Sequence, residues 1–236
     1  IVKKLETCEA RIEAAREALS DVPKLLEDYR QSVLAAAFRG DLTAKWRTQN
    51  PVGDLSAEAS AKEESAKALL ERLRHERRQR WEQAELKKYE AKGKAPPKDW
   101  KQKYKAPEPL TKAQIDELPE LPEGWCWAGL GELIEHPKYG TSRKCDYTET
   151  EYPVLRIPNI ASGKIETTEL KYAKMDAEEA GGYFLAEEDI LMIRSNGSLS
   201  IVGKCALANE THTHMLFAGY LILLRTNTNL ISANYI

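Results

Sequence analysis

The chain lacks most of the signatures by which catalytic or secreted proteins can be recognised. Its four cysteines stand at 8, 126, 145 and 205 and form no C-x-x-C pair, which argues against a zinc knuckle or a dithiol redox site. Cysteines so dispersed suit a reducing cytoplasm rather than a disulfide framework. Nothing reads as a signal peptide. The most apolar window, Met215–Leu224, is far shorter than a membrane span and reads as a buried strand. No phosphate-binding G-x-x-x-x-G-K-S/T and no H-E-x-x-H occurs. Gly129-Leu-Gly131 lacks the third glycine and the preceding strand that a dinucleotide site needs. There is also no Asn-Pro-Pro-aromatic run of the kind amino-methyltransferases use.

Net charge is nearly absent too, at −2 over 236 residues, but the charges are unevenly placed. Residues 72–105 hold 13 Lys or Arg against 5 Asp or Glu, whereas 106–236 hold 11 against 19. Any nucleic-acid role must therefore rest on local basic loops in the acidic C-terminal half.

What is present is an apolar seam. Leu5, Ile12, Leu19, Leu26 and Val33 recur every seven residues, with Cys8, Ala15, Val22, Tyr29 and Ala36 three places on. This two-position stripe is what a helix needs to lie along another helix. A helix over residues 3–38 would be a rod of roughly 50 Å. Pro23 removes a backbone donor and predicts a kink or joint, with Ser20 or Asp21 placed to cap the restart. Gly40 predicts the helix stop.

Beyond it, Asn50-Pro51 and Gly53 read as a connector. A polar helix is predicted over 57–92, capped by Ser56, with Leu69, Leu70, Leu73, Trp81 and Leu86 as its few apolar residues. Residues 93–110, rich in lysine and proline, predict an extended tether. Its Trp100 and Tyr104 interleave with lysines as base-stacking residues would. Thr111-Lys-Ala-Gln114 fits a capping box. Strands are predicted at 153–157, 190–194, 201–207 and 217–225, and a helical turn at 176–180. Long polar loops separate them.

Two loops carry candidate contacts. Tyr139-Gly-Thr-Ser-Arg-Lys144 offers Gly140 for close backbone approach, the Thr141 and Ser142 hydroxyls as donors, and the charges of Arg143 and Lys144. An ordinary solvated turn is the plainer reading of the same residues. Arg194-Ser195-Asn196-Gly197 follows a predicted strand; Arg can grip guanine and Asn adenine through two hydrogen bonds each. Asn-Gly is equally the preferred pair of a hairpin turn. Arg156 and Asn159 flank another strand and carry a weaker claim, as does Lys204. A His212/His214 metal pair lacks further ligands, and Asp146 with Glu169 and Lys171 mimics a nuclease triad only in composition.

Arg30-Gln-Ser-Val-Leu-Ala-Ala-Ala-Phe-Arg-Gly-Asp-Leu-Thr43 resembles the end of the central conserved helix in specificity subunits of type I restriction-modification enzymes, and Ile1-Val-Lys-Lys-Leu-Glu6 the start of that region. Leu121-Pro-Glu-Gly-Trp125, Tyr139-Gly-Thr-Ser142, Val154-Leu-Arg-Ile-Pro-Asn-Ile160, Glu188-Asp-Ile-Leu191, Arg194-Ser-Asn-Gly197 and Val202-Gly203 resemble the family's target-recognition domain, in order and spacing. The resemblance implies an α+β chain: long coiled-coil-type helices followed by a mixed α/β recognition domain with a small sheet and long loops. It implies a spacer helix over 1–50, a charged helix and linker over 51–120, and an incomplete recognition domain over 121–236.

The same resemblance implies a non-catalytic reader of double-stranded DNA, in the cytoplasm and with no membrane contact. It would direct methyltransferase (M) subunits and a restriction/translocase (R) subunit to a split target. AdoMet, ATP and Mg²⁺ would sit on those partners, with no cofactor in this chain. Gly140, Thr141, Ser142, Arg143, Lys144, Arg156, Asn159, Arg194, Ser195 and Asn196 become the candidate DNA contacts. No Met opens the chain, the heptads are already in phase at Leu5, and Ser232–Ile236 reads as a helix just beginning, so a fragment is expected. From another class, the acidic C-terminal half also fits a coiled-coil adaptor whose β-module binds protein.

Overall fold

The computed structural model describes residues 2–49, 65–135 and 137–236. These form an α+β chain whose contacts gather into two compact units, Ile1–Lys67 with Thr111–Cys126, and Ala68–Leu110 with Trp127–Ile236. The stretch 51–120 is thus shared between the units. The Asn50-Pro51 connector and the Ser56 cap lie outside the described residues.

In the first unit, α1 (Val2–Ser20) and α2 (Val22–Phe38) are separated at Asp21. Pro23 lies in the first turn of α2, where its missing N–H costs nothing. The predicted break is therefore present, but the cap is not. Asp21 makes no side-chain cap, and the Ser20 hydroxyl donates back to the Glu17 carbonyl at 2.7 Å. α2 stops as its composition dictates: Gly40 adopts φ 78° and its N–H donates to the Ala37 carbonyl at 2.9 Å. Gly40 is buried, and a Cβ there would lie 2.8 Å from Cγ of Pro122. The helix stop and the Leu121-Pro-Glu-Gly-Trp125 segment therefore meet within this unit. A short helix, α3 (Ala44–Gln49), follows. Neither α1 nor α2 buries a residue; Leu5, Ile12, Leu19, Leu26 and Val33 are all exposed. The capping box at Thr111 is formed, with its hydroxyl accepting from the Gln114 N–H and the Gln114 side chain accepting from the Thr111 N–H.

The second unit holds two four-stranded sheets. One has the order β1 (Lys138–Tyr139), β8 (Leu221–Leu224), β5 (Ile190–Ile193), β6 (Cys205–Leu207), all antiparallel. The other has the order β2 (Cys145–Asp146), β4 (Lys171–Ala173), β3 (Pro153–Leu155), β7 (Leu216–Phe217), with β3 and β7 parallel. Side chains alternate in direction along a strand. Leu155, Phe217, Leu191, Ile193, Leu221 and Leu223 meet in the main core between the sheets. Their neighbours point the other way: Val154 and Leu216 towards Ala173 and Ala180, and Ile190 and Leu224 towards Ile134 and Ala233. Strands covered on both faces read as continuous apolar runs rather than alternating ones, which explains Ile190-Leu-Met-Ile193 and Leu221-Ile-Leu-Leu224.

Two predicted strands are shorter than expected. Only Cys205–Leu207 of the 201–207 stretch is extended, because Gly203 turns the chain at φ 83°. The 217–225 stretch is split at Ala218-Gly-Tyr220, where the chain crosses from β7 in one sheet to β8 in the other.

The charged helix, α4, spans Ala66–Ala91; residues 57–64 of the predicted stretch lie outside the described residues. It buries only Leu70 and Leu73, and arginines hold it down. Arg74 donates to the buried carboxylate of Glu132, at 2.9 Å from Nε and 2.5 Å from Nη2. Arg77 donates to the carbonyls of Gly131 and Glu135 at 2.6 and 2.7 Å; burial lowers its pKa. Arg80 pairs with Glu135, and Asn227 donates to Glu76 at 2.8 Å. The helix ends in a Schellman turn: Gly93 at φ 61°, Lys94 N–H to Tyr89 carbonyl, Gly93 N–H to Glu90 carbonyl. The lysine/proline stretch then departs from the expected extended tether. Trp100 is buried against Trp81, ring centroids 5.9 Å apart; Tyr104 lies 5.3 Å from the same ring, and Lys101 pairs with Glu82 at 3.0 Å. Trp100 and Tyr104 thus both pack against Trp81, Trp100 buried and Tyr104 half-buried.

Candidate nucleic-acid interface

The crossover from β7 to β8 makes the floor of a cleft of about 710 Å³. Four segments distant in sequence converge on it: Thr141–Arg143 after β1, Arg156–Pro158 after β3, Lys171 at the start of β4, and Arg194 with Asn196 after β5. Topology is the cause. β3 and β7 run parallel, and β5 and β8 antiparallel, so the chain leaves β3 and β5 at the same edge, beside Ala218–Tyr220. The Ala218 N–H donates to the Leu155 carbonyl at 2.9 Å, and the Arg194 N–H to the Tyr220 carbonyl at 3.0 Å, anchoring both departures. A shallower depression of about 450 Å³ adds Ser195 and Gly197.

The four cleft cations are held in three ways. Arg143 grips Glu179 with two bonds, Nε to Oε1 at 2.8 Å and Nη2 to Oε2 at 2.6 Å. That pair holds the Glu179 carboxyl below its usual range and raises the Arg143 pKa. Arg156 donates from Nη2 to the Glu169 carbonyl at 2.7 Å. Its Nε is buried without an acceptor among the described residues, a cost of about 1–3 kcal/mol. Lys171 lies 4.8 Å over the Tyr147 ring, and Arg194 4.7 Å over the Tyr139 ring.

The remaining candidates divide. Gly140 is needed for close approach, but to the protein's own backbone: a Cβ there would lie 2.2 Å from the Phe217 carbonyl oxygen and 2.3 Å from that of Ala218. Thr141 is buried; its N–H donates to the Phe217 carbonyl at 2.8 Å and its hydroxyl accepts from the Arg143 N–H at 3.1 Å. Ser142 is exposed in the cleft wall, and Lys144 is exposed but outside it. Asn159 turns into the protein. It is buried, its Oδ1 accepts from the Arg156 N–H and its Nδ2 donates to the Glu166 carbonyl, both at 2.9 Å, so its amide braces the loop after β3. Asn196 closes a turn by accepting from the Ser198 N–H at 2.8 Å. That turn sits in the long 194–204 loop between β5 and β6, so Asn196-Gly197 is not the tip of a two-residue hairpin. Lys204 precedes β6 and donates to the Ala161 carbonyl at 3.1 Å.

Sequence reasoning missed Lys171 and Tyr220 as cleft residues, because which strand end or crossover borders the cleft depends on sheet order, which no local pattern marks. It also missed Asp189, which is buried and accepts from Arg225 at 2.6 and 2.5 Å and from the Ala186 N–H at 2.6 Å. His212 lies in a helical turn, and its Nδ1 accepts from the Asn209 N–H at 3.1 Å. Asp146 closes a turn onto the Thr148 N–H. Among the described residues no group of three or more His, Cys, Asp or Glu side chains could hold a metal ion, and no helix is long and apolar enough to cross a membrane.

No family model matches the chain. It is 22% identical over 226 residues to the type I restriction enzyme EcoKI specificity subunit of Escherichia coli, which covers 95% of this chain and 34% of that protein. It is 21% identical over 236 residues to the StySPI specificity subunit of Salmonella potsdam, covering 100% and 36%. With the EcoEI specificity subunit of Escherichia coli it shares 25% identity over 232 residues, 96% and 34%. The chain spans about a third of the length of the curated relatives it matches. Along most of its length, this chain is therefore a relative of type I restriction enzyme specificity subunits.

Proposed function

We propose that this chain reads double-stranded DNA as part of the specificity component of a type I restriction-modification complex. The observation that carries the reading is the cleft: Arg143, Arg156, Lys171 and Arg194 arrive from four separate segments in an otherwise acidic module. A net-negative surface repels a duplex, so such a module needs a local concentration of cations to hold one. Backbone contacts position the duplex and the side chains at the loop tips read base edges. In this proposal the chain makes or breaks no covalent bond. Methyltransferase and restriction/translocase subunits carry out the chemistry, with AdoMet, ATP and Mg²⁺ bound to them. The helices α1 and α2 act as a spacer between the halves of a split target, since a rod fixes both distance and rotation around the duplex.

The test is fluorescence anisotropy of a labelled mixed-sequence duplex titrated with the 236-residue chain across a salt series. The expected slope of log K against log salt is on the order of −3 for a protein neutralising three or four phosphates. Arg143→Ala and Arg156→Ala should each make it shallower by about 1. The acidic balance of residues 106–236 favours the rival reading, an adaptor that binds protein. That reading gains if the wild-type chain shows no salt-dependent binding and is indifferent to changes at Arg143, Lys144 and Arg194.

A further inference from the structure

The three cleft arginines are not equivalent, and the difference separates positioning from reading. Arg143 is tied by two bonds to Glu179, and Arg156 by one to the Glu169 carbonyl. Among the described residues Arg194 alone of the three has no oxygen partner for its guanidinium. It is exposed, and its Cζ lies 4.7 Å from the centroid of the Tyr139 ring, which is itself 60% exposed. A guanidinium laid on an aromatic face is held by the ring's negative face while its five N–H donors stay directed outward in their plane. An ion pair holds an arginine by spending those donors. The contact with the ring therefore restricts the side chain without consuming what it would use on a ligand.

The sheet brings the two side chains to neighbouring positions. Tyr139 is the last residue of β1 and is paired with Ile222 of β8. Arg194 follows β5 on the other side of β8, its N–H bonded to the Tyr220 carbonyl. Both backbones are thus pinned to one central strand. Tyr139-Gly-Thr-Ser and Arg194-Ser-Asn-Gly, which the sequence presents as separate segments, meet through this one contact.

We infer that Arg194 is the residue that specifies a guanine in the DNA target, and that Tyr139 is its positioning residue, holding the guanidinium plane ready for the O6 and N7 atoms. The inference rests on the DNA-reading function proposed above and adds a division of labour to it. Arg156 and Arg143, whose donors are already shared with protein oxygens, hold the backbone without discriminating among bases. Lysine at 194 could keep the charge and the contact with the ring but not the two-pronged bond.

The experiment is selection of duplexes from a randomised pool by the 236-residue chain, with the enriched bases counted by sequencing. Affinity for one unselected mixed duplex is measured in parallel, and circular dichroism confirms that each variant folds. The wild type should enrich a guanine at one position, by about tenfold or more for a two-bond contact. Arg194→Ala and Arg194→Lys should both lose that preference, and Arg194→Lys should retain affinity for the mixed duplex. Tyr139→Leu should weaken the preference by about two- to fivefold, the scale of an exposed cation–ring contact, whereas Tyr139→Phe should restore it. Arg143→Ala should lower affinity for all duplexes alike. If Tyr139→Leu reads as sharply as wild type, or Tyr139→Phe fails as badly as Tyr139→Leu, the positioning role is overturned. If Arg194→Lys keeps the guanine, the reading role is overturned. Wild type that binds no duplex at all would remove the DNA-reading function itself, and this inference with it.

Discussion

Replacing Gly140 by alanine tests whether the cleft is built by backbone contact between the two sheets. The added Cβ would stand 2.2 Å from the Phe217 carbonyl oxygen and 2.3 Å from that of Ala218. Carbon and oxygen approach no closer than about 3.3 Å in weak contacts of this kind, so the strands must part by roughly 1 Å. The obstacle is main chain on both sides and cannot swing away as a flexible side chain would. Parting them removes the Thr141 N–H bond to Phe217 (2.8 Å) and the Gly219 N–H bond to Thr141 (2.9 Å). At about 1 kcal/mol net for each bond, with at least about 1 kcal/mol for overpacking, the expected cost is about 2–4 kcal/mol. A thermal melt followed by circular dichroism should then fall by roughly 5–15 °C. DNA affinity should also drop, because the loop carrying Ser142 and Arg143 is displaced. Gly131 and Gly197 supply the control: each has no heavy atom within 4 Å of its would-be Cβ and no positive φ, so alanine there should change stability by less than about 0.5 kcal/mol. A Gly140→Ala chain that melts with the wild type would refute the close-approach argument and the picture of a cleft floored by the crossover.

The buried Trp100 side chain folds the lysine/proline stretch against α4, so Trp100→Ala should cost about 3–5 kcal/mol and expose Lys94–Lys105 to trypsin in limited digestion; an unchanged digestion pattern would restore the tether expectation. The uncovered seam should make the chain self-associate with rising concentration, and Leu19→Glu with Leu26→Glu should abolish this in sedimentation equilibrium; a wild type that stays monomeric at high concentration speaks against a pairing helix. Glu179 should titrate below the ordinary glutamate value of 4.5, because Arg143 stabilises its charged form. The pair therefore supports the fold above that value and is lost as pH falls through the lower, folded one. Arg143→Gln should return the Glu179 carboxyl to its usual range in an NMR titration, and no movement would mean the pair does not persist in solution.

Much of the helical part was legible because its causes are local. Gly40 and Gly93 end helices since only a residue without a Cβ enters the left-handed region at little cost, and Pro23 breaks one since it lacks a donor. The strands at 153, 190 and 221 could be found from their apolar runs, but their lengths could not. Gly203 and the Ala218-Gly-Tyr220 crossover cut two of them short, and such a cut depends on which sheet the next strand joins. The packing of Trp100 and Tyr104 on Trp81 was illegible for a related reason. An aromatic among lysines looks available in the sequence until Trp81, about twenty residues away, is seen to occupy its face.

The sequence by itself determined the heptad seam, the helix stops, the apolar strands and which loops carry arginine, since propensity, periodicity and backbone freedom act within a few residues. Only the tertiary structure decided which of those polar side chains remain available. It sent Asn159 inward to brace a loop, tied Arg143 to Glu179, and left Arg194 lying on Tyr139. The bonds a polar group makes depend on neighbours that the chain brings together across dozens of residues, and no local pattern encodes that meeting.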